Sequence, residues 1–473
     1  VNARRWLTPS LAVGLWMIFF VGLSCSPWRA QLVSGDGDAA LHWKLGAWML
    51  DQREVIRVDS FSHTRPHGTV ISKEWLSELF WGAAGEALGW NGLALLAALL
   101  IATTLFLLQR QLEAEGSDAL AATLLTLLAA CTCSMHWLAR PHLITHLLVV
   151  VFNWQLRAFQ QDRMSGRMLF VWLVPLMALW ANLHGAFPIG LVLIGLYLVG
   201  NIGRQPEQIR NMILMAMLFA ACAAATLLNP NGWKLHAIII QYLRHSQFVG
   251  GVNEFLPPNF HATNTHGFAL QLLVLAVILM GIRGRWQRVD IVLVGAWCYF
   301  ALHSVRNLPV FALVATPVLA EHLRGRLPQF SQRIAADGRI WMTVAVAAVA
   351  LFQPPTVPSA AVFPVEAVKF LRAHPSAVRG RMFNPDHWGG YLLLTMPERP
   401  VFMDSRHEFY GTKLVADYLQ VARGDPDWLE TMGRYQVDWT LMPANHPLNQ
   451  LLALRRDWRR VYSDSTATVF VRN

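Results

Sequence analysis

Residues 34–79 read SGDGDAALHWKLGAWMLDQREVIRVDSFSHTRPHGTVISKEWLSEL, and ordinary connectors are not this rich in acids, histidines, tryptophans and glycines. From residue 38 to 50 the apolar side chains Leu41, Leu45 and Trp48 recur at helical spacing, which predicts an amphipathic helix lying in a membrane interface. Asp38 opens that helix, Asp36 stands just before Gly37, and His42 follows Asp38 by one turn on the same face. Two readings stay open. Asp38 can be a helix cap and Asp36 a turn residue, or the acids and His42 can hold a divalent cation or polarise an acceptor hydroxyl. Further along, VDSFSHTRPHG (58–68) carries His63, and Glu74 with Trp75 opens a second helix expected to continue into the next apolar run.

The apolar runs on either side set the class. The 473 residues are 54% hydrophobic and 14% charged, with a mean hydropathy of +0.35, where soluble domains carry roughly 25% charged residues. A span needs about 20 apolar residues, and about eleven runs qualify: 7–25, 90–110, 118–138, 142–159, 168–182, 186–203, 209–228, 267–283, 288–304, 307–323 and 339–353. The start, Arg4 and Arg5 before an apolar run, has the parts of a signal peptide without a small-x-small cleavage site, so an uncleaved first span is expected. Alternate connections hold Arg4 and Arg5; Arg110; Arg157, Arg163 and Arg167; Arg204 and Arg210; Arg283, Arg285 and Arg288; and Arg324, Arg326, Arg333 and Arg339. The positive-inside rule makes these the cytoplasmic loops and puts the carboxy terminus outside. All of the seventeen histidines except His322 then fall towards the outer face. The net charge of +10 is thus a topology signal, and its short clusters exclude a nucleic-acid groove. Cys25, Cys131, Cys133, Cys222 and Cys298 lie in or beside apolar runs, with no spacing for a disulfide framework or a zinc site.

Two outer loops are long, 26–89 and 229–266. The short outer turns are almost free of positive charge, yet Arg140 stands beside His142 in ARPH and Arg306 in HSVRN, while His184 sits in NLHG. An arginine at membrane depth needs an anion: a carboxylate, a lipid headgroup or a phosphate. Glu254 is the only acid of the second long loop. After Pro354, Pro355 and Pro358 the composition changes, and residues 362–473 are expected to form a small soluble α/β domain. Helices are expected near 364–374, 411–422 and 445–454 and strands at 401–403, 439–442 and 468–471. Its FNPDHWGGYLLLTMPERPVFMDSRHEFYG stretch groups Asp386, His387, Asp404, Arg406 and His407, with Asp404 and Arg406 expected to pair. No P-loop, dinucleotide fingerprint, GxSxG elbow or HExxH is present.

An acid just after the first span, a juxtamembrane helix, an Asp-Ser-Phe-Ser stretch ending in Pro-x-Gly, and a second helix entering the membrane together resemble the first outer loop of GT-C glycosyltransferases. That superfamily includes protein O-mannosyltransferases, aminoarabinose transferases of lipid A and the catalytic subunit of oligosaccharyltransferase. The resemblance implies a polytopic α-helical membrane protein: residues 1–361 form the GT-C-like transmembrane domain, and 362–473 form a periplasmic or extracellular α/β domain. It implies an inverting transferase of a bacterial inner membrane, amino terminus cytoplasmic, moving a sugar from a polyprenyl-phosphate-linked donor to an outer-face glycan, lipid or protein. In such a site Asp38 or Asp36 activates the acceptor or holds a metal. Arg140, Arg306 and His184 would bind the donor phosphate, and His42, His63, Glu74 and His142 would contact substrate or loop. Glu254 with Asp38 would bind a divalent cation, Mg or Mn, the one cofactor implied. Two other classes fit the composition: a transporter or flippase of a lipid-linked or anionic solute, which predicts repeated halves that this sequence lacks, and a non-catalytic assembly protein, which predicts that Asp36 and Asp38 are dispensable.

Overall fold

The computed structural model describes residues 9–25, 27–244, 253–281, 286–326, 340–352 and 356–473. Arg4, Arg5, Arg283, Arg285, Arg333, Arg339, Pro354 and Pro355 lie outside the described residues, as do the extreme ends of the first, eighth and last expected spans. The helices run α1 Leu11–Cys25, α2 Trp28–Ser34, α3 Asp38–Gln52, α4 Trp75–Leu88, α5 Trp90–Ala114, α6 Ala119–Cys133, α7 His142–Gln160 and α8 Gly166–Leu183. They continue as α9 Pro188–Gly200, α10 Pro206–Ala225, α11 Trp233–Arg244, α12 His266–Gly281, α13 Arg288–His303, α14 Leu308–Leu323 and α15 Ile340–Phe352. Each expected apolar run thus carries a helix. By length and composition, five stretches among the described residues can cross a membrane: Trp90–Ala114, Ala119–His136, Gly166–Leu183, Pro206–Ala225 and Thr263–Gly281.

Local chemistry sets the helix starts. Asp118 accepts from the Leu120 amide (3.0 Å) and Ser165 from the Met168 amide (3.4 Å), each satisfying a donor that the first turn leaves free. Proline occupies the first turn of α9, α10 and α14, where no amide hydrogen is needed. The bundle centres on α14, buried without interruption from Leu308 to Ala320, as expected of a helix that is apolar all round. Helix α5 packs against α1 and buries Ala94, Ala97, Ala98 and Ala102 completely, and such small side chains let helix axes approach closely.

At the far end of the same bundle, Arg157 departs from its expected place in an exposed cytoplasmic loop. Arg110, Arg163, Arg167, Arg204, Arg210, Arg288, Arg324 and Arg326 are exposed, but Arg157 is buried and bonded to Glu115 (3.1 Å), Asp290 (3.0 Å) and Glu321 (2.6 Å). It joins α5, α7, α13 and α14 as a buried ionic node.

The carboxy-terminal segment folds as α16 Val365–Ala373, β1 Arg381–Phe383, α17 Asp386–Thr395, α18 His407–Arg423, α19 Trp428–Arg434, β2 Val437–Pro443, α20 Pro447–Ala453, β3 Trp458–Ser463 and β4 Ala467–Arg472. Its sheet has the order β1-β2-β4-β3, with β1 parallel to β2 and the other pairs antiparallel. The expected strand at 401–403 is only a bridge, Val401 pairing with Ser62 of the first loop. The core crosses between segments: Leu41, Leu45, Met49, Ile56, Phe61 and Val70 share one buried cluster with Trp388, Leu392, Phe402 and Trp439. The apolar stripe of α3 therefore faces the terminal segment, not lipid, and this corrects the interfacial placement expected for it.

Two glycine contacts fix that arrangement. A Cβ on Gly37 would strike the His387 carbonyl, and one on Gly82 would fall on the backbone of Gly46 and Ala47, so α3 lies against α4 and α17 at backbone distance. The second helix does not run on into the membrane as expected: it stops at Gly89, whose φ of 60° and ψ of −146° break the chain before α5. Gly82→Ala is expected to cost about 1–3 kcal/mol by forcing α3 and α4 apart, read as a lower melting temperature of the purified protein. An unchanged melting temperature would contradict this packing.

Candidate active site

Where the first loop, the bundle end and the terminal segment meet lies a cavity of about 1080 Å³, at the upper end of the range for small-molecule sites. Asp38, His42, Glu74, Arg140 and His184 line one side, Ile238, Ile239 and Tyr242 of α11 another, Trp297, Phe300 and Arg306 a third, and 405–406 with 408–413 the side towards the terminal segment. Helix α11 was not foreseen within the second long loop. Its Ile238, Ile239 and Leu243 turn to the cavity, while Trp233 and Ile240 are exposed away from it.

The acids of the first loop converge on Arg140. One guanidinium nitrogen lies 2.7 Å from Asp36 and 3.0 Å from Glu254, and the other 2.7 Å from Asp38. Backbone bonds hold the turn beneath it: the Ala139 amide donates to Leu32 (2.7 Å) and the Trp81 indole donates to the Ala139 carbonyl (2.8 Å). Glu254 reaches the cluster because the Ser304 hydroxyl donates to its carbonyl (2.9 Å), tying 253–256 to the turn that carries Arg306. Arg306 sits 3.7 Å from the other Glu254 oxygen, over the Phe255 ring, and keeps 34% of its side chain exposed.

The two aspartates differ. Asp36 accepts the Asp38 amide (3.1 Å) as a turn residue does, and does not line the cavity, whereas Asp38 does. Burial pushes both carboxyls up and Arg140 pulls both down. At Asp38 the nearness of His42, Ser405 and His407 leaves the pKa below its ordinary value, while Asp36, facing Asp38 and Glu254, stays above it. Glu254 is lowered, its burial outweighed by Arg140 and Arg306.

A second chain of groups starts at His184. Its Nδ1 faces the Thr145 hydroxyl (2.7 Å) and accepts from the Ala186 amide (3.4 Å), so a neutral ring carries its hydrogen on Nε2, 3.4 Å from Glu74. Glu74 also lies 3.7 Å from His42, whose other nitrogen is 3.6 Å from Glu78. Burial opposes a charged His42, but Glu78, Glu74 and Asp38 outweigh it and raise its pKa. The Trp75 indole, bonded to Asn182 (2.8 Å), pins α4 to the turn that holds His184.

Of the expected site residues, Asp38, His42, Glu74, Arg140, His142, His184 and Arg306 line one cavity, with Asp36 and Glu254 just behind. His142 spends Nε2 on the His136 carbonyl (2.6 Å). His63 stands apart, bonded to the Met382 carbonyl (2.8 Å), so it contacts the terminal segment and not the cavity. Sequence reasoning missed Lys73, Glu78, Ser405 and Glu408. Lys73 pairs with Glu408 at 2.7 Å across the boundary between first loop and terminal segment. The only advance signals were adjacency of Lys73 to Glu74, the one-turn spacing of Glu74 and Glu78, and adjacency of Glu408 to His407.

These residues do not fit a divalent cation as they stand. Asp36, Asp38 and Glu254 turn their oxygens on Arg140, and among the described residues no group of three His, Cys, Asp or Glu side chains is arranged to hold a metal. Asp38 and Glu254, expected as metal ligands, meet a guanidinium instead.

No family model matches the chain, and no curated protein matches it by sequence. Solved structures do match. Over 92% of this chain and 69% of the other, it superposes on the apo oligosaccharyltransferase of Archaeoglobus fulgidus with a TM-score of 0.58 at 13% identity. It also superposes on ArnT from Cupriavidus metallidurans, apo (TM-score 0.55, 15% identity, 97% of each chain) and bound to undecaprenyl phosphate (TM-score 0.53, 14% identity, 97% of this chain and 96% of that one). With 92–97% of the chain included in the matches, bundle and terminal segment together, the chain has the fold of these structures, the GT-C fold.

Proposed function

We propose that this protein is a membrane glycosyltransferase that moves a sugar from a polyprenyl-phosphate-linked donor to an acceptor on the outer face of a bacterial inner membrane. The observation that carries this reading is one cavity with the Asp38 carboxyl on one wall and Arg306, about a third of its side chain exposed, on another. ArnT, solved with undecaprenyl phosphate, supports the donor class. Apolar Ile189, Val192, Ile238, Ile239, Trp297 and Phe300 suit the first isoprenes of such a donor. The proposal keeps eleven spans, a cytoplasmic amino terminus and residues 362–473 outside.

In this reading Asp38 receives the acceptor hydroxyl and Arg306 the donor phosphate. Arg306 suits the phosphate better than Arg140, because a single carboxylate at 3.7 Å engages it while three engage Arg140. As the bond between sugar and phosphate opens, charge builds on the leaving phosphate, and a fixed cation stabilises it most at that point. His184 and His142 sit beside it as further polar wall. Loss of one charged phosphate contact is worth about 2–3 kcal/mol, so Arg306→Ala is expected to lower kcat/KM for the donor by roughly 30- to 160-fold. Arg306→Lys is expected to recover part, as a point charge without the fork. Unchanged kcat/KM in Arg306→Ala would move the phosphate elsewhere.

The deciding assay gives the purified protein radiolabelled polyprenyl-phosphate sugars and compares wild type with Asp38→Asn and Asp36→Asn. Equal turnover in all three would sink the assignment and favour a non-catalytic assembly role.

A further inference from the structure

We propose that the Arg140 guanidinium stands where a divalent cation would otherwise sit, so that this site carries a built-in cation and takes no metal. The reaction rests on the function proposed above, but the occupancy of the site does not.

Three carboxylates reach Arg140 from two separate parts of the chain: Asp36 and Asp38 at the start of α3, and Glu254 in the loop after α11. Acids gathered this closely repel one another unless a cation lies between them, and a cation that binds several carboxylate oxygens is the ordinary way to hold them. Here both terminal guanidinium nitrogens are engaged, at 2.7, 2.7 and 3.0 Å. The group cannot lose its proton at any working pH, and its planar fork fixes the directions of its bonds.

Nor is Arg140 a side chain that has swung in by chance. The Ala139 amide and carbonyl are both bonded, to Leu32 and Trp81. The Arg140 amide is bonded to the Leu138 carbonyl (2.8 Å), and Pro141 follows at the entry to α7. A doubly charged ion placed among the same oxygens would face this guanidinium and Arg306 at close range, both repelling it. Metal and Arg140 therefore exclude one another, and the chain encodes the arginine.

A divalent ion would bind the Asp38 oxygens directly and compete with an acceptor hydroxyl for the remaining lone pairs. Arg140 engages one oxygen of Asp38 in an ion pair at 2.7 Å and leaves the carboxylate, which lines the cavity, able to accept a hydrogen bond.

Binding of the metal alone tests the proposal. Full-length protein in nanodiscs is titrated with MnCl2, and free Mn2+ is followed by electron paramagnetic resonance for wild type, Glu254→Gln, Arg140→Lys, Arg140→Ala and the double variant Arg140→Ala/Glu254→Gln. Arg140→Ala is expected to gain one Mn2+ site that the double variant lacks, while wild type and Arg140→Lys show no site sensitive to Glu254→Gln. A Mn2+ site in wild type that Glu254→Gln removes overturns the proposal, and so does a folded Arg140→Ala protein that gains none. Should Arg140→Ala not fold, the comparison of wild type with Glu254→Gln decides alone. The readout is binding, so failure of sugar transfer would count against the proposed function and leave this result standing.

Discussion

Asp38→Asn is expected to lower sugar transfer by roughly 10²- to 10⁴-fold, the usual contribution of a positioned general base, with the protein still folded and monodisperse. Asparagine keeps an oxygen for the Arg140 bond but cannot take a proton. Asp38 is held below the ordinary carboxylate pKa and is thus a weak base. It suits a reaction in which the sugar develops oxocarbenium character first and the acceptor proton moves late. Under the proposed function its work is to orient the hydroxyl, with Arg140 and Ser405 favouring its charged form. Asp36→Asn is expected to do much less harm, because an asparagine oxygen can still accept the Asp38 amide that Asp36 now caps and only the bond to Arg140 weakens. The informative quantity is the ratio of the two losses. A larger loss in Asp36→Asn would exchange their roles.

Much of this site was visible before any coordinates. Arg140 and Arg306 stood out because the short outer turns around them carry almost no positive charge, and Glu254 because it is the only acid of its long loop. Those signals named the residues but could not choose partners: carboxylate, lipid headgroup and phosphate all stayed open for Arg140 until distances showed three carboxylates on it. The apolar runs located the helices, since one solvent acts on them all. Tertiary contact decided what remained hidden. Helical spacing in 38–50 identified a face but not what covers it, and the cover is α17, more than 300 positions away. Within α17 itself, nothing in the sequence said what Gly389 and Gly390 would pack against. Their missing side chains admit the Asp404 backbone and Leu41. Arg157 was read as a loop marker because composition cannot distinguish an exposed arginine from one caged by Glu115, Asp290 and Glu321.

Arg406→Ala should be the most damaging single change to stability, at about 3–5 kcal/mol. The pairing of Arg406 with Asp404 expected from their spacing is present, at 2.9 and 2.6 Å, but the same guanidinium also reaches Asp59 of the first loop at 2.8 Å. Both aspartates are fully buried, and the guanidinium lies over the rings of Phe61 and Phe409. Removing it strands two buried carboxylates. Asp59 meanwhile holds the loop by accepting from the Ser62 amide (2.9 Å) and hydroxyl (2.7 Å), so its displacement should free 54–72 from the terminal segment. The measurements are the melting temperature and limited proteolysis: a marked drop, with new cleavage after Arg53, Arg57 or Arg65. Arg406→Lys should fall between, since one ammonium cannot reproduce a fork that serves two carboxylates. The damage should extend to catalysis, because Ser405 and Glu408 flank Arg406 on the cavity wall, and Gly37, between the two site aspartates, rests on the His387 carbonyl of the same segment. A variant with normal melting and resistance to protease but reduced transfer would make Arg406 a group of the site alone. Loss of both together would make the terminal segment the support that sets Asp38 in place.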